Sequence, residues 1–410
     1  MTKKLIFLPV LLSFGAAAQA TDLPKPVYRA SSEPVNLVEP LDYVQVCDAY
    51  GEGFFYIPGT QTCLRLSGRV RTDALYRRFA DKPQNWGGVV DDSPQGRDLN
   101  SMRFRARSYI RMDARSDTEF GFVRAFSELR ATVDSDSERY GESPIMDLNK
   151  AYIQFGGFTI GRTGSLFDFF TGATFGSVHR DWSDANSWSA AYTEVFDDGV
   201  SVTVSVEDPV YRAHGVFTGV EGENGRAGNK APDAVAAFRM DGDWGSAKLS
   251  AAATHIRPEA AYVPGEVGWA VGAGAIINLP QLGSQDAMAL QFQYGNGAVS
   301  YAGIDDDEVF DAYYIGGDTR KTEALSFSGG FTHYVTPDVR TDFDASYAVV
   351  DTPTGAPLPD FNRVSLDWDL VWSPVTGLEM GVDFGYVRTS PEETKDFDEG
   401  SALFRVQKTF

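Results

Sequence analysis

The chain has 410 residues, with 57 acidic and 36 basic side chains and a formal net charge of −21. This acidic balance argues against a nucleic-acid partner, which requires a basic face to meet phosphates. The 41 glycines, 20 prolines and 13% aromatic residues favour many short strands joined by turns, so we predict an all-β fold.

The N terminus predicts secretion. Residues 1–20 contain Lys3 and Lys4, then an apolar run over 5–14, and end in Ala18-Gln19-Ala20. These are the parts of a cleaved signal peptide, and the run is too short for a membrane helix, which needs about 20 apolar residues. The alternative is an N-terminal helix of a cytoplasmic protein. Beyond this segment, charged residues interrupt every window of membrane-helix length, which excludes a helical membrane protein.

The next segment, 21–62, is predicted to be a periplasmic leader. Its first part is rich in proline and acid and shows no apolar period. Cys47 and Cys63 are the two cysteines of a chain expected to reach an oxidising compartment, where thiols pair, so we expect one disulfide. Metal ligation is the alternative, but two sulfurs without neighbouring histidines are too few for a structural zinc site. No metal and no cofactor are expected.

From Cys63 onward, apolar and polar side chains alternate along successive segments. In the clearest one, 102–115, the even positions are mostly apolar and the odd positions include five arginines. Alternate side chains of a strand point to opposite faces, and a protein core does not accept a face of guanidinium groups. The same two-faced pattern recurs over 363–372 and 378–386.

Sixteen segments are predicted as strands. They span 63–79, 99–115, 117–132, 147–156, 157–162, 186–197, 199–208, 233–241, 245–256, 266–279, 285–295, 321–335, 338–350, 360–372, 376–389 and 397–410. A soluble sandwich buries the apolar face and a membrane barrel turns it to lipid, and alternation alone does not distinguish the two. The even count, and tight turns alternating with long polar loops such as 209–232, favour a 16-stranded antiparallel transmembrane β-barrel over 63–410.

Both ends of the chain resemble a known family. The stretch 42–65, DYVQVCDAYGEGFFYIPGTQTCLR, resembles the N-terminal signature of alphaproteobacterial porins of the Rhizobiales type. The ending 405–410, RVQKTF, is similar to that family's C terminus. The likeness continues through the first five strands, whereas 209–320 matches by pattern only.

The resemblance implies a homotrimer of sixteen-stranded barrels in the outer membrane of a Gram-negative bacterium, each with a pore narrowed by an infolded third loop. The implied activity is passive diffusion of small hydrophilic solutes and ions. Phe410, in the apolar phase of the last strand, resembles the assembly signal of outer-membrane barrels, although Lys408 in the same phase is charged where that pattern usually has an apolar or aromatic side chain. Barrel-assembly machinery, outer-membrane lipid and lipopolysaccharide are therefore the expected partners.

The candidate constriction loop is the segment 164–185. It is too apolar for a solvated surface loop, with four phenylalanines, and three of its acids are expected to face the opening: Asp168, Asp181 and Asp184. The alternative is a surface loop whose aromatic residues lie at the membrane interface.

The resemblance implies a basic wall opposite this loop, and residues 63–130 contain thirteen arginines and one lysine, Lys82. The predicted pore-lining side chains are Arg65, Arg69, Arg71, Arg103, Arg105 and Arg107. Arginine keeps its charge when partly desolvated, and rings of fixed charge discriminate between ions. The alternative is that these arginines form salt bridges with acids in the same phase, such as Asp73 and Asp113.

Later strands place acids in the polar phase, which predicts an acidic lumen away from the basic wall and a mild cation preference. These acids are Asp342, Asp344, Asp367, Asp369, Glu379 and Asp383.

Two other functions are weighed. An enzyme is disfavoured because the four histidines, His179, His214, His255 and His333, are dispersed and form no nucleophile or H-E-x-x-H motif. A substrate-specific channel, or a barrel with adhesive loops, remains the alternative because the long loops leave room for either. The acidic stretch 305–308 either binds divalent cations or is solvated.

Overall fold

The computed structural model describes residues 46–80, 101–135, 145–196, 199–220, 222–304, 309–392 and 394–410. The predicted signal peptide over 1–20, the leader residues 21–45 and the acidic stretch 305–308 lie outside the described residues. Within these described ranges, no helix is long and apolar enough to cross a membrane.

The described chain is all-β. In chain order the strands are β1 Phe55–Tyr56, β2 Cys63–Ala80, β3 Met102–Thr118, β4 Gly121–Asp134, β5 Ile145–Phe155, β6 Phe158–Gly164, β7 Asn186–Val195, β8 Val200–Glu207, β9 Val216–Phe217, β10 Asp233–Gly242, β11 Gly245–Ile256, β12 Glu266–Asn278, β13 Ala287–Asn296, β14 Ala312–Ile315, β15 Asp318–Lys321, β16 Glu323–Thr336, β17 Val339–Asp351, β18 Phe361–Val375, β19 Leu378–Pro391 and β20 Phe397–Thr409. All except β1, β9, β14 and β15 form one closed antiparallel barrel, which confirms the predicted sixteen strands.

The barrel closes where the first long strand meets the last. Residues 69–80 of β2 pair with 398–409 of β20, and Gly68 and Phe410 exchange two backbone hydrogen bonds of 2.8 and 3.0 Å. A Cβ on Gly68 would lie 2.7 Å from the Phe410 ring, so the terminal ring occupies the space that this glycine leaves. Closure removes the free sheet edges that an open barrel would present.

The apolar face lies on the outside of the barrel. On β3, Met102, Phe104 and Ile110 are each more than half exposed, while the arginines between them point inward. Trp368 and Trp372 of β18 are exposed in the same way, opposite the buried Asp367. This arrangement excludes the soluble sandwich, because only lipid accommodates such an apolar exterior.

The turn between β3 and β4 is displaced from the prediction. The sequence places it near residue 116, whereas β3 continues to Thr118 and β4 begins at Gly121. Gly121 has a φ of +109°, and Thr118 Oγ1 donates to its carbonyl oxygen at 2.7 Å. A glycine with positive φ forms the tight turn, and the alternation of charges continues past the predicted boundary.

A small second sheet covers the end of the barrel that carries the long loops. In it β9 pairs parallel to β14, and β14 pairs antiparallel to β15. The core beneath it includes Val299, Tyr313, Val350 and Leu358, all almost fully buried. The sequence prediction assigned these segments to long polar loops and missed this folded cap.

The predicted disulfide joins Cys47 to Cys63. It holds a 3-10 turn, Asp48–Tyr50, and pairs β1 with β2 at the end of the barrel that carries the tight turns. Phe54 is buried there, with the Arg65 and Arg115 guanidinium carbons 5.0 and 4.8 Å from its ring centroid. Residues 46–62 therefore pack against lumen-facing side chains of the first strands.

Candidate functional site

The lumen has two chemically different walls. The first, which we call the arginine wall, consists of eleven inward-facing arginines on β2–β4: Arg65, Arg69, Arg71, Arg77, Arg103, Arg105, Arg107, Arg111, Arg115, Arg124 and Arg130. The inward-facing acids of β2–β5 in the described residues are six: Asp73, Asp113, Asp117, Glu128, Asp134 and Asp147. The arginine wall therefore carries a surplus of positive charge.

The strand alternation places the first three predicted arginines in one inward row on β2. The Arg65 guanidinium lies 3.8 Å from Asp113, that of Arg69 lies 4.5 Å from the Tyr109 ring centroid, and Arg71 lies 3.5 Å from Asp73. The ion pairs show that the salt-bridge reading of the sequence is right for part of this row. The ion-paired side chains remain accessible nevertheless, since Arg65 is 41% and Arg71 12% exposed.

The other three predicted arginines lie on the neighbouring strand, β3. Arg105 binds Asp134 through Nε at 2.8 Å, and Arg103 approaches the same carboxylate at 3.7 Å. Arg107 donates to Thr132 Oγ1 at 2.8 Å. Neighbouring strands thus hold these side chains in fixed positions along the wall.

The segment between β6 and β7 enters the barrel. Ser165 N donates to Ala185 O at 2.8 Å and closes the base of the loop. Its aromatic residues pack inside: Phe167 contacts Tyr301 with ring centroids 4.8 Å apart, and Phe170 contacts Trp182 at 5.5 Å. The contacts of residues 165–185 with inward-facing side chains place this segment within the lumen.

The second wall, which we call the aspartate wall, carries five inward-facing carboxylates on β17–β19: Asp342, Asp344, Asp367, Asp369 and Asp383. None of them is more than 1% exposed. The loop covers four of them, and Asp342 is bound by Arg340. The expectation that they form an open acidic lumen is therefore wrong. Glu379, the sixth predicted acid, instead binds Arg340 near the tight-turn end.

Backbone amides of the loop tip supply the donors for this wall. Four consecutive contacts join the tip to four carboxylates: Thr174 N to Asp344 at 2.9 Å, Phe175 N to Asp369 at 2.9 Å, Gly176 N to Asp383 at 3.1 Å and Ser177 N to Asp367 at 3.2 Å. Arg180 adds a guanidinium to Asp344 at 2.9 Å. Buried charges require such partners, so the aspartate wall anchors the loop.

Glycines in the inward phase of the later strands make room for the loop. A Cβ on Gly274 would lie 2.6 Å from Phe169, one on Gly330 2.5 Å from Phe170, and one on Gly381 2.8 Å from Phe175. Larger side chains at these positions would displace the aromatic residues of the loop.

The three predicted loop acids have different surroundings. Asp168 pairs with the buried Arg212 at 2.6 Å, and Asp181 pairs with the buried Arg363 at 3.1 Å. Burial by itself would raise the pKa of Asp181, but Arg363 and His179 outweigh it and the pKa is lowered. Of the predicted three, Asp184 alone is exposed. Asp168 and Asp181 therefore hold the loop on the wall instead of facing the opening.

The arginine wall and the loop tip meet at one cavity of about 120 Å³. Five arginines line it together with loop residues 175–177: Arg71, Arg77, Arg103, Arg105 and Arg405. Arg405 donates to Phe175 O at 3.0 Å and Arg77 donates to Ser177 O at 3.2 Å. The structure thus brings Arg71, Arg103 and Arg105 to the loop, whereas Arg65, Arg69 and Arg107 lie outside this cavity.

The arginines predicted from the sequence to line the pore include neither Arg405 nor Arg77. The available signal was weak: Arg405 is in the inward phase of the last strand, which pairs with β2 only when the barrel closes. Among the described residues, no group of three or more His, Cys, Asp or Glu side chains is arranged to hold a metal ion.

Comparisons with known proteins identify the family of this barrel. The family described as Porin subfamily matches residues 33–405. Porin Omp2b of Brucella suis biovar 1 (strain 1330) is 35% identical over 241 residues, which cover 56% of this chain and 62% of the relative. The match thus spans less than two thirds of the length of this curated relative.

Two solved structures share the barrel. The outer membrane channel DcaP of Acinetobacter baumannii superposes with a TM-score of 0.68 at 17% identity, covering 87% of this chain and 99% of that one. OmpT of Vibrio cholerae in its trimer form superposes with a TM-score of 0.50 at 9% identity, covering 86% and 100%. At such identities the likeness shows the fold alone.

Proposed function

The chain belongs to the porin subfamily, and we propose that it forms a passive, water-filled channel for small hydrophilic solutes and ions across the outer membrane. It is an outer-membrane β-barrel protein, and its family is one of channels, not of enzymes. The end with the tight turns then faces the periplasm and the end with the long loops faces the exterior. Residues 1–20 act in this proposal as the signal peptide and 21–62 as the periplasmic leader.

One observation carries the proposal: a closed barrel with an apolar exterior contains an inward loop that covers one wall and leaves charged side chains of the other wall accessible. Accessible arginines inside a ring of outward-facing apolar residues are not expected in a soluble protein. Water and ions passing through the barrel account for both features.

We propose that the constriction lies between the loop 164–185 and the predicted arginines, with Arg71, Arg103 and Arg105 nearest to the loop tip. The exposed wall carries more arginines than acids, and the acids of the opposite wall are covered. The passage therefore favours anions, which reverses the selectivity that the sequence suggested.

The proposed assembly is a homotrimer, supported by the trimeric form of a structural neighbour. Outer-membrane lipid and lipopolysaccharide would surround the apolar exterior, and the barrel-assembly machinery would recognise the final strand ending in Phe410. Native gel electrophoresis of the detergent-solubilised protein tests the assembly, since a trimer migrates at three times the mass of the denatured chain.

Planar bilayer recording tests the channel. Purified, folded protein is expected to insert in discrete steps of ohmic conductance, and vesicles that contain it are expected to swell in small inert sugars. A matched control is the same protein denatured by heat, which should give neither signal. Folded barrels that pass neither ions nor sugars would contradict the proposed function.

A further inference from the structure

We propose that the cavity between the arginine wall and the loop tip is a binding site for small, doubly charged oxyanions, which the channel takes up in preference to other solutes. The proposal rests on the proposed function in one respect, since it assumes that the cavity opens to the permeation path. It adds a ligand class to that path.

The charge count at the cavity favours a dianion. Five guanidinium groups line it, and three acids in the described part of the chain form ion pairs with them: Asp73, Asp134 and Glu399. Counted over the described residues, the local surplus is therefore two positive charges. A doubly charged ligand neutralises it, whereas a cation meets net repulsion.

The most buried acid of this group is already satisfied. Arg405 binds Asp73 with two hydrogen bonds of 2.6 and 3.2 Å, and both side chains are less than one tenth exposed. Arg71 approaches the same carboxylate only at 3.5 Å. Asp73 therefore does not need Arg71, and the Arg71 guanidinium can turn its donors to a ligand.

Two buried arginine N–H groups that make no hydrogen bond also favour an anionic ligand. The Nε atoms of Arg71 and Arg77 are buried and make no hydrogen bond, although they lie 3.5 Å from Asp73 and 3.6 Å from Glu399. A buried N–H without a well-placed acceptor is unfavourable, so an acceptor in the cavity is favoured. Oxyanions supply several acceptor oxygens, and the planar fork of arginine matches carboxylate, sulfate and phosphate geometry.

The loop tip sets the size of the ligand. Residues 175–177 form one side of the cavity, where their amides are bound to the aspartate wall and two of their carbonyls accept from Arg405 and Arg77. The cavity volume of about 120 Å³ matches sulfate or a short dicarboxylate in size. A larger solute would have to displace the tip.

Sulfate is the probe for the test, because it is doubly charged at neutral pH. Single channels of the full chain are recorded in potassium chloride while potassium sulfate is added, and calorimetric titration of the detergent-solubilised protein measures binding independently of current. We expect a saturable decrease of the chloride current and a matching heat of binding.

Two variants separate a site from a general field. Arg71→Gln removes a cavity donor and leaves the pair of Arg405 with Asp73, and it is expected to raise the half-blocking sulfate concentration by at least about tenfold. Arg130→Gln removes one positive charge from the same wall outside the cavity, and its half-blocking concentration should stay within about twofold of the parent. If Arg71→Gln does not fold, Arg77→Gln replaces it.

Each outcome bears on the proposal. Saturable block that weakens only in the cavity variant supports it. Channels that conduct chloride but show neither block nor heat with sulfate overturn the site and leave the channel intact. Equal weakening in both variants overturns it as well, because the effect is then a long-range field. Binding without conductance supports the site and contradicts the proposed channel.

Discussion

The arginine wall and the aspartate wall come from the same pattern of alternation, yet they have opposite relations to water. On β2–β4 the inward arginines form ion pairs with acids on neighbouring strands and remain partly exposed. On β17–β19 the inward aspartates lie beneath the loop and are almost fully buried. A side chain that the alternation points into the barrel is therefore not always exposed to the water of the pore.

The difference has a physical cause. Neighbouring arginines repel one another, and the acids interleaved on adjacent strands reduce that repulsion without covering the side chains. The clustered aspartates repel one another too, but the loop tip brings a row of backbone amides and Arg180 to them. The loop is bound to one wall and only touches the other at its tip.

Removal of the carboxylates that anchor the loop to the aspartate wall should have the largest effect on conductance. In Asp344→Ala/Asp367→Ala, three amides, two hydroxyls and Arg180 lose charged acceptors, at about 1.5–3 kcal/mol for each bond. We expect the loop to leave the wall and the single-channel conductance to rise severalfold.

The matched control is Asp396→Ala, an exposed acid between β19 and β20 that pairs with Arg388. Its conductance should equal that of the parent. Unchanged conductance in the double variant would show that the aspartate wall does not hold the loop.

Arg405 joins strand β2 to the loop tip, and its loss should have the next largest effect. Arg405→Gln leaves Asp73 buried without its bidentate partner and removes the donor to Phe175 O. Breaking a buried pair on one side costs about 3–5 kcal/mol. Urea unfolding in lipid vesicles should show this loss, and Arg388→Gln, an exposed pair on the outer face, should show none. Equal stability of the two variants would contradict the placement of Arg405.

Loss of the disulfide should have a smaller effect, limited to the segment that packs against the arginine wall. Cys47→Ser/Cys63→Ser releases a closed loop of sixteen residues, which is worth about 3 kcal/mol in the chain-entropy description. Residues 46–62 should then become sensitive to protease, and Arg65 and Arg115 should lose their contacts with Phe54. Protease resistance equal to that of the parent would show that packing alone holds this segment.

The sequence predicts the strands well because period-two alternation is local. All sixteen barrel strands are recovered, and the largest displacement, at the start of β4, depends on the turn formed by Gly121. The cap formed by β9, β14 and β15 is missed because strands this short contain no measurable period.

The site is predicted less completely, because its partners are remote. Asp344 meets amides 170 and 171 residues away, and Arg405 meets Asp73 332 residues away. No local pattern distinguishes a carboxylate that water will solvate from one that a distant backbone will cover. Gly274, Gly330 and Gly381 do carry a signal: glycine in the polar phase of a lumen strand indicates that another segment approaches there.

The reversal potential of the channel across a potassium chloride gradient shows which of the two walls faces the permeating ions. With the aspartates covered and the arginine surplus accessible, the account predicts that chloride carries most of the current. It also predicts that Asp383→Asn leaves the sign unchanged, whereas Arg103→Glu/Arg105→Glu shifts the potential toward potassium. A parent channel that prefers potassium would contradict the account, because it would require the aspartate wall to face the open pore.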